Sequence, residues 1–309
     1  MNVLFEKDQK GFLLFFGAKK RSKRNIHPLL NLSPIWDRLK KIIAETAGYF
    51  YVLARRDDAL ILKILIMKNI VIAAGYATRL GELTKNFPKP LLKIGENTIL
   101  GRMLDDIDRI PEIDEHIIIT NHRFAQLFTD WAAEQHYAKS ITIVDDGTET
   151  NETRLGAVCD LLFAMEKLSI DDDMLVVAAD NILEFSFKEF VDFAYQKQTS
   201  CIMCHEQPSI EKLQRTGVVV LDENQQVLEM AEKPQEPKTH WAVPPFYIYL
   251  KKDLDLVRHS VENGCGKDAP GNLAHYMVEH TTMHAWPMSA GRFDIGSLDT
   301  YYEAVKRFG

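Results

Sequence analysis

Apolar residues in this chain gather in short runs, and the segments between the runs carry them at helical spacing. Ile70-Val71-Ile72-Ala73-Ala74 is such a run, closed by Gly75, and reads as a strand buried on both faces that enters a loop. Residues 99–110 follow with the spacing of a helix, Ile117-Ile118-Ile119 forms a second buried run, residues 124–135 a second helix, and residues 140–144 a third strand. The order βαβαβ predicts parallel strands joined by helical crossovers. Residues 155–165 predict a further helix, and Met174-Leu175-Val176-Val177-Ala178-Ala179 a buried strand ending at Asp180. Residues 217–221 and 226–231 read as a hairpin around Asp222-Glu223-Asn224, and residues 273–279 as a helix that Asn272 would cap. The fold class expected is α/β, with a mixed, mainly parallel sheet and ligands at its carboxyl edge.

Ahead of residue 67 the pattern is weaker. Residues 35–47 have helical spacing, but nothing there carries chemistry, and the charge changes sign. Residues 1–66 hold 13 Lys and Arg against 6 Asp and Glu, whereas residues 67–309 hold 24 against 38. The expected organisation is an N-terminal extension, residues 1–66, followed by one catalytic domain, residues 67–309. Met67 is expected to be the natural start, with the extension mis-assigned or disordered; the intact mass of the native protein tests this.

Composition narrows the class. Of 309 residues, 46% are hydrophobic and 26% charged, with a net charge of -7, which excludes a disordered chain, a collagen and a membrane bundle. The apolar runs at 12–16 and 59–67 are too short for a membrane span. A signal peptide fits poorly, because Lys19, Lys20, Arg21, Lys23 and Arg24 stand where a cleavage site belongs. The cytoplasm is therefore the expected compartment, with Cys159, Cys201, Cys204 and Cys265 reduced. An acidic body lacks the basic surface that nucleic acid requires, but a local Lys and Arg cluster can still hold a small phosphorylated ligand.

Such a cluster follows the first strand: Gly75-Tyr76-Ala77-Thr78-Arg79-Leu80, then Thr84, then Pro88-Lys89-Pro90-Leu91-Leu92. A Gly after a strand lets backbone N-H groups approach an anion, while Arg79 offers a planar fork of donors and Lys89 a point charge. Alone, the loop fits a structural turn equally well. It is neither the Rossmann fingerprint nor a Walker loop, since the later glycines and the Gly-Lys-Ser/Thr ending are missing.

With the Pro-Lys-Pro segment, the loop resembles the signature of the sugar-1-phosphate nucleotidyltransferases, Gly-x-Gly-Thr-Arg-Leu/Met followed by Pro-Lys-Pro-Leu. Further landmarks come in the family's order: Asp180-Asn181 after a central strand, Gly217-Val218-Val219, Glu232-Lys233-Pro234, and Arg292-Phe293-Asp294-Ile295-Gly296 where the family has Trp-x-Asp-x-Gly. The resemblance covers residues 67–309 and implies a Rossmann-like three-layer αβα fold. It departs at Ala77, where the family has Gly and where close approach of a ligand needs a negative φ. It departs again at Pro244-Pro245-Phe246-Tyr247, which blurs the identity of the sugar.

The resemblance implies that a sugar 1-phosphate attacks the α-phosphorus of a nucleoside triphosphate, giving a nucleoside-diphosphate sugar and pyrophosphate. Asp180 and Asp294 would hold Mg²⁺, a hard cation suited to a few carboxylates plus phosphate oxygens. Arg79 and Lys89 would neutralise the triphosphate, with Ala74 and Gly75 facing the nucleotide and Gly156 near its base. Lys233 would hold the sugar phosphate, Glu232 would accept sugar hydroxyls, Gly217 would lie beside the sugar, and Asn272, where it does not cap its helix, would touch the sugar. The partners implied are a nucleoside triphosphate, for which dTTP or UTP is expected, and glucose 1-phosphate; homo-oligomerisation is left open. Two rivals stand beside this reading, a metal-dependent glycosyltransferase and a non-catalytic nucleotide-binding regulator. Asp171-Asp172-Asp173 resembles the acidic triplet of the first but precedes its strand, so a solvated loop is expected. Cys201-Ile202-Met203-Cys204-His205 has the haem attachment pattern, yet it lies in a segment reading as a strand, and a closed zinc site would need two more ligands.

Overall fold

The computed structural model describes residues 66–309 and, before them, four short strands, Lys7–Asp8, Gly11–Phe12, Tyr51–Arg56 and Ala59–Ile64. The first two pair antiparallel with each other, as do the last two. The helical spacing over residues 35–47 lies outside the described residues. The chain divides into two compact units, Met1–Ile66 and Met67–Gly309.

The second unit is built on a ten-stranded mixed sheet. In chain order its strands are β1 (Met67–Ile72), β2 (Ile113–Thr120), β3 (Ser140–Asp145), β4 (Asp173–Ala178), β5 (Ser200–Glu206), β6 (Gly217–Leu221), β7 (Val227–Glu232), β8 (Trp241–Val243), β9 (Phe246–Tyr249) and β10 (Met283–Pro287). They lie in the order β7-β6-β8-β5-β9-β4-β1-β2-β3, with β10 also paired to β5. The strands β4, β1, β2 and β3 are parallel, while β7, β8 and β9 run against the other seven. The sheet is thus mainly parallel by strand direction, with an antiparallel wing formed by β5 to β9.

Helices cover both faces, which is why the parallel strands carry apolar runs such as Ile70-Val71-Ile72, Ile117-Ile118-Ile119 and Met174-Leu175-Val176-Val177. Ile70 packs on one side with Val158 and Leu161 of α3 (Ala157–Lys167) and with Leu273 and Met277 of α6 (Pro270–His280). Its neighbour Val71 faces the other side. There it meets Leu104 of α1 (Ile99–Ile107), Phe128 of α2 (His122–Ala133) and Phe190 of α4 (Phe187–Lys197). A short α5 (Leu254–His259) joins the first layer, and α7 (Leu298–Phe308) closes a smaller cluster with Leu80, Ile94 and Ile295. The result is the expected three-layer αβα arrangement.

Local chemistry sets the element ends. Asn121 caps α2 by accepting from Phe124 N at 3.1 Å, and Asp222 closes the β6–β7 hairpin by accepting from Asn224 N and Gln226 N, both at 2.8 Å. Two expectations are corrected. Asn272 does not cap α6: Pro270 takes the first helical position after Ala269, its fixed φ already helical, and the Asn272 amide lies against Gly266. The acidic triplet is not wholly a solvated loop. Asp171 pairs at the surface with Lys251 Nζ at 2.6 Å, but Asp173 opens β4, buried, and accepts from Tyr195 Oη at 3.0 Å and Lys251 N at 2.7 Å. Cys201 and Cys204 are buried within β5 as free thiols, each pushed up to about 12 by burial.

Beneath the carboxyl edge, Asp146 and Asp160 are both buried; Asp146 follows β3 and Asp160 lies in the first turn of α3. Burial, and then the neighbouring Asp146, push the Asp160 carboxyl up to about 8. A carboxyl raised on folding stabilises the native state fully below its unfolded pKa near 4 and loses that contribution as pH climbs through 8. Thermal melting of the protein is therefore expected to fall between pH 5 and pH 8.5, by up to about 1.4 kcal/mol per pH unit from this group. Asp160→Asn should flatten that decline; an unchanged slope would show that the carboxyl ionises normally.

Candidate active site

The strand β1 delivers the chain to the sheet edge through Ala73 and Ala74, both buried, to Gly75, which is exposed. The Ala74 carbonyl is held by the buried amide of Asn121, Nδ2 to O at 3.0 Å, so the cap of α2 also anchors the loop. A side chain at Gly75 would meet no atom within 4 Å, leaving its backbone open to an approaching ligand. Two residues on, Ala77 departs from the expectation of a negative φ. It sits at φ 46°, ψ 39°, the left-handed region the family's Gly adopts freely. Its carbonyl accepts from Leu80 N at 3.1 Å and from Thr84 Oγ1 at 2.8 Å, and these bonds hold the turn despite the Cβ. The loop shape survives the substitution at a cost of roughly 1–2 kcal/mol.

Lys89 lies on a single 3-10 turn, Lys89–Leu91, between Pro88 and Pro90, whose fixed φ angles stiffen it. Its Nζ donates to Asp180 Oδ2 at 3.1 Å and to the Ile295 carbonyl at 2.5 Å. Asp180 follows β4 and precedes Asn181–Leu183, which pairs antiparallel with Arg292–Asp294; Asn181 stands opposite Asp294, and Ile295 N donates to Asp180 O at 3.0 Å. This ribbon carries the two acids to one place. The Asp294 carboxyl opens to solvent on one side, yet burial on the others, then the charge of Asp180, holds its pKa above the ordinary value. Arg292, Lys89 and Arg79 pull it back. Arg79, Lys89, Asp180 and Asp294, chosen on different segments of the chain, thus share one electrostatic neighbourhood.

Two neighbouring carboxylates, Asp180 and Asp294, with lysine and arginine around them fit a small hard dication that completes its shell with phosphate oxygens and water. Among the described residues no group of three or more His, Cys, Asp or Glu forms a metal cage. Sparse protein ligation of this kind suits Mg²⁺ rather than a closed structural ion.

The remaining residues lie on the antiparallel wing. Gly217 stands opposite Glu232 and also Val243, and a Cβ on it would come within 3.2 Å of Glu232 Oε2. The Glu232 carboxylate lies against Gly271 at the start of α6, where a Cβ would fall 2.0 Å from Oε2. Burial raises the Glu232 carboxyl, and Lys233, 3.7 Å away, lowers it. Lys233 is itself left-handed, at φ 50°, with its N-H on the Thr216 carbonyl at 3.1 Å; strained non-glycine backbone of this kind collects at functional sites. Gly156 precedes α3 at φ 94° with its Cα against another backbone, since a Cβ would sit 2.6 Å from the Lys267 carbonyl. Residues 267–268 accept the first N-H groups of that helix, Val158 N to Lys267 O at 3.0 Å and Ala157 N to Asp268 O at 3.1 Å. Gly156 is therefore buried in the fold rather than open to the cleft as Gly75 is. Three neighbours of the site went unread in the sequence: Asn121, Gly271 and Arg292. Only the last had a signal, since it replaces the family's Trp.

The chain matches the family model described as Nucleotidyl transferase over residues 68–308, and it belongs to that family. Among curated relatives, it is similar to the glucose-1-phosphate adenylyltransferase of Fervidobacterium nodosum, 23% identical over 254 residues, covering 77% of this chain and 60% of that protein. It is also similar to the bifunctional protein GlmU of Methanocaldococcus jannaschii, 27% identical over 241 residues, covering 78% and 54%. The chain thus spans a little over half the length of these relatives. Its fold is shared with a UDP-glucose pyrophosphorylase solved with UDP-glucose, at a TM-score of 0.67, 19% identity, and coverage of 79% of this chain and 98% of that one.

The two unusual loop residues make opposite predictions for stability. Gly156→Ala, which combines positive φ with backbone overlap, should cost about 3 kcal/mol or more, whereas Ala77→Gly should be neutral or stabilising by up to about 1 kcal/mol. Urea unfolding midpoints check both; destabilisation of equal size would mean that Ala77 is not held left-handed.

Proposed function

We propose that the cleft transfers a nucleotidyl group from a nucleoside triphosphate to a sugar 1-phosphate. The observation that carries this reading is the shared neighbourhood of Arg79, Lys89, Asp180 and Asp294 at the carboxyl edge, supported by membership of the nucleotidyl transferase family. In the reaction a phosphate oxygen of the sugar 1-phosphate bonds to the α-phosphorus, the bond to the bridging oxygen toward the β-phosphorus breaks, and pyrophosphate leaves. The nucleophile needs no strong base, because a phosphate monoester, with a second pKa near 6, is largely dianionic at neutral pH. What must be overcome is the approach of anions and the spread of charge in line, which cations and fixed donors relieve.

Each residue then has a task suited to its position. The open backbone at Gly75, next to the anchored Ala74, receives the triphosphate, and Arg79 and Lys89 offset its charge. Lys89 is steered by Asp180 and the Ile295 carbonyl, so it costs little to order when the substrate arrives. Asp180 and Asp294 would hold Mg²⁺, which when bound supplies Lewis acidity to the phosphate oxygens. On the wing, Lys233 faces the acceptor phosphate and Glu232 accepts sugar hydroxyls beside Gly217, while Gly156 supports the cleft from beneath. Within the class we assign dTTP or UTP as donor and glucose 1-phosphate as acceptor. The relatives' names support the glucosyl unit and differ in the base, adenylyl in one and uridine in another. We place the activity in the cytoplasm, in keeping with four free thiols; no helix among the described residues is long and apolar enough to cross a membrane.

Pyrophosphate release, measured with Mg²⁺ across five nucleoside triphosphates, several sugar 1-phosphates and phosphocholine, is expected to peak in one pairing. Asp180→Ala and Lys89→Ala should each lower kcat/KM there by about a hundredfold or more, the scale of losing one fixed charge partner of the transition state. Silence across all pairings, in folded protein that binds a nucleotide, would overturn this reading in favour of a regulator.

A further inference from the structure

Three hydrogen bonds run in series through the acidic end of the ribbon. Arg292 Nη1 donates to Asn181 Oδ1 at 2.6 Å, Asn181 Nδ2 donates to Asp180 Oδ1 at 2.6 Å, and Lys89 Nζ donates to the other carboxylate oxygen, Asp180 Oδ2, at 3.1 Å. The register makes the first of these a diagonal contact across the two strands, because Asn181 stands opposite Asp294 and Arg292 lies two residues before Asp294 on the same face. Asn181 is 1% exposed, so its amide depends on these protein partners rather than on solvent.

The order of donors leaves that amide one orientation. A guanidinium only donates and an ionised carboxylate only accepts, so Asn181 must offer its carbonyl oxygen to Arg292 and its N-H group to Asp180. Half a turn of the amide would set two acceptors together at one end and two donors at the other. Arg292 therefore holds the Asn181 amide, and the amide in turn holds Asp180. Lys89 is a less permanent holder. On the reading above it offsets the charge of an incoming triphosphate, and its flexible ammonium then has phosphate oxygens to serve as well as Asp180. The bond from Asn181 takes no part in that exchange.

We propose that Asn181 and Arg292 are positioning residues for Asp180, which together fix its carboxylate for a divalent cation while Lys89 turns to the substrate. This rests on the reading that Asp180 holds Mg²⁺. Arg292, which stands where the family's pattern has Trp, brings to the task a planar fork of donors. A cation two hydrogen bonds away from Asp180 also repels a dication, so charge alone and positioning predict opposite signs. Removing Arg292 strengthens metal binding if it is only a charge, and weakens it if it anchors Asn181.

Binding of Mn²⁺ to the full chain, read from the electron paramagnetic resonance of the free ion, tests this without turnover. Asn181→Leu, similar in size and unchanged in charge, is expected to weaken Mn²⁺ binding about tenfold or more, the scale of losing a group that orients a metal ligand. Arg292→Met should weaken it severalfold, but no further in the Asn181→Leu background, and neither change should matter in the Asp180→Asn background. Because Arg292→Met leaves Asn181 in place, the test does not depend on one buried substitution folding. Stronger Mn²⁺ binding in Arg292→Met, or effects of the two substitutions that simply add, would overturn the proposal. Weakened binding in Asp180→Asn with none in Asn181→Leu or Arg292→Met would reject the positioning alone. Unchanged binding in Asp180→Asn would reject the metal-holding role on which it rests. The expected Mn²⁺ pattern beside a silent pyrophosphate screen would support the positioning and reject the transferase reading.

Discussion

The short antiparallel ribbon between Asn181–Leu183 and Arg292–Asp294 is the constraint on which the site depends. A parallel strand can deliver one acid to the carboxyl edge of a sheet, but a second must come from elsewhere in the chain. The ribbon supplies it through backbone hydrogen bonds, including Ile295 N to Asp180 O at 3.0 Å, which do not depend on the acids being ionised. Two carboxylates are thereby brought together, and burial first, then the charge of Asp180, holds the Asp294 pKa above its ordinary value. α7 follows directly and packs Ala304 with Leu80 and Ile295, so the ribbon is clamped from the outside by the same cluster that holds the first loop.

Charge balance then dictates what else must be near. Lys89 answers Asp180 at 3.1 Å, and Arg79 and Arg292 add charge around Asp294. A site arranged in this way is close to neutral before any substrate arrives, and each anionic group that enters must bring or find its own cation. The antiparallel wing meets this need differently: Glu232 and Lys233 neutralise each other at 3.7 Å, and the burial of Glu232 against Gly271 leaves its carboxylate short of water. Two acids answered by separate cations on the parallel half and a self-balanced pair on the antiparallel half make the two sides of the cleft chemically unlike.

Much of this architecture was legible in residue order. The apolar runs of β1, β2 and β4 are long and bounded, since strands covered on both faces need runs of apolar side chains. The Asp222 turn announced its hairpin through side-chain chemistry that acts within four residues. The motif residues Arg79, Lys89, Asp180 and Asp294 could be named, but only a resemblance joined them, because nothing local in Asp294-Ile295-Gly296 distinguishes a site from a turn. Contacts made across the fold were not legible. That Asn121 anchors Ala74, that Gly271 must be small to admit Glu232, and that Asp173 is buried beneath Tyr195 all depend on which elements pack together. Asn272 misled for a related reason: a good capping residue loses to a proline already set at the first helical position.

The departures from the family's pattern differ in kind. At Ala77 the residue changed and the backbone did not: the chain keeps a left-handed turn that Gly would adopt without strain, tied by Thr84 and Leu80. The methyl group that Ala77 adds is partly buried against the cluster of Leu80, Ile94 and Ile295, which offsets some of the strain. At Arg292 the reverse holds. The backbone register is that of the ribbon, but a large apolar ring has given way to a buried cation with an unbonded Nε. A substitution that keeps the backbone leaves the loop's shape intact, while one that adds a cation beside Asp180 and Asp294 changes the charge balance of the site. The first loop therefore departs from the family's pattern in a side chain alone, whereas the ribbon beside Asp294 departs from it in charge.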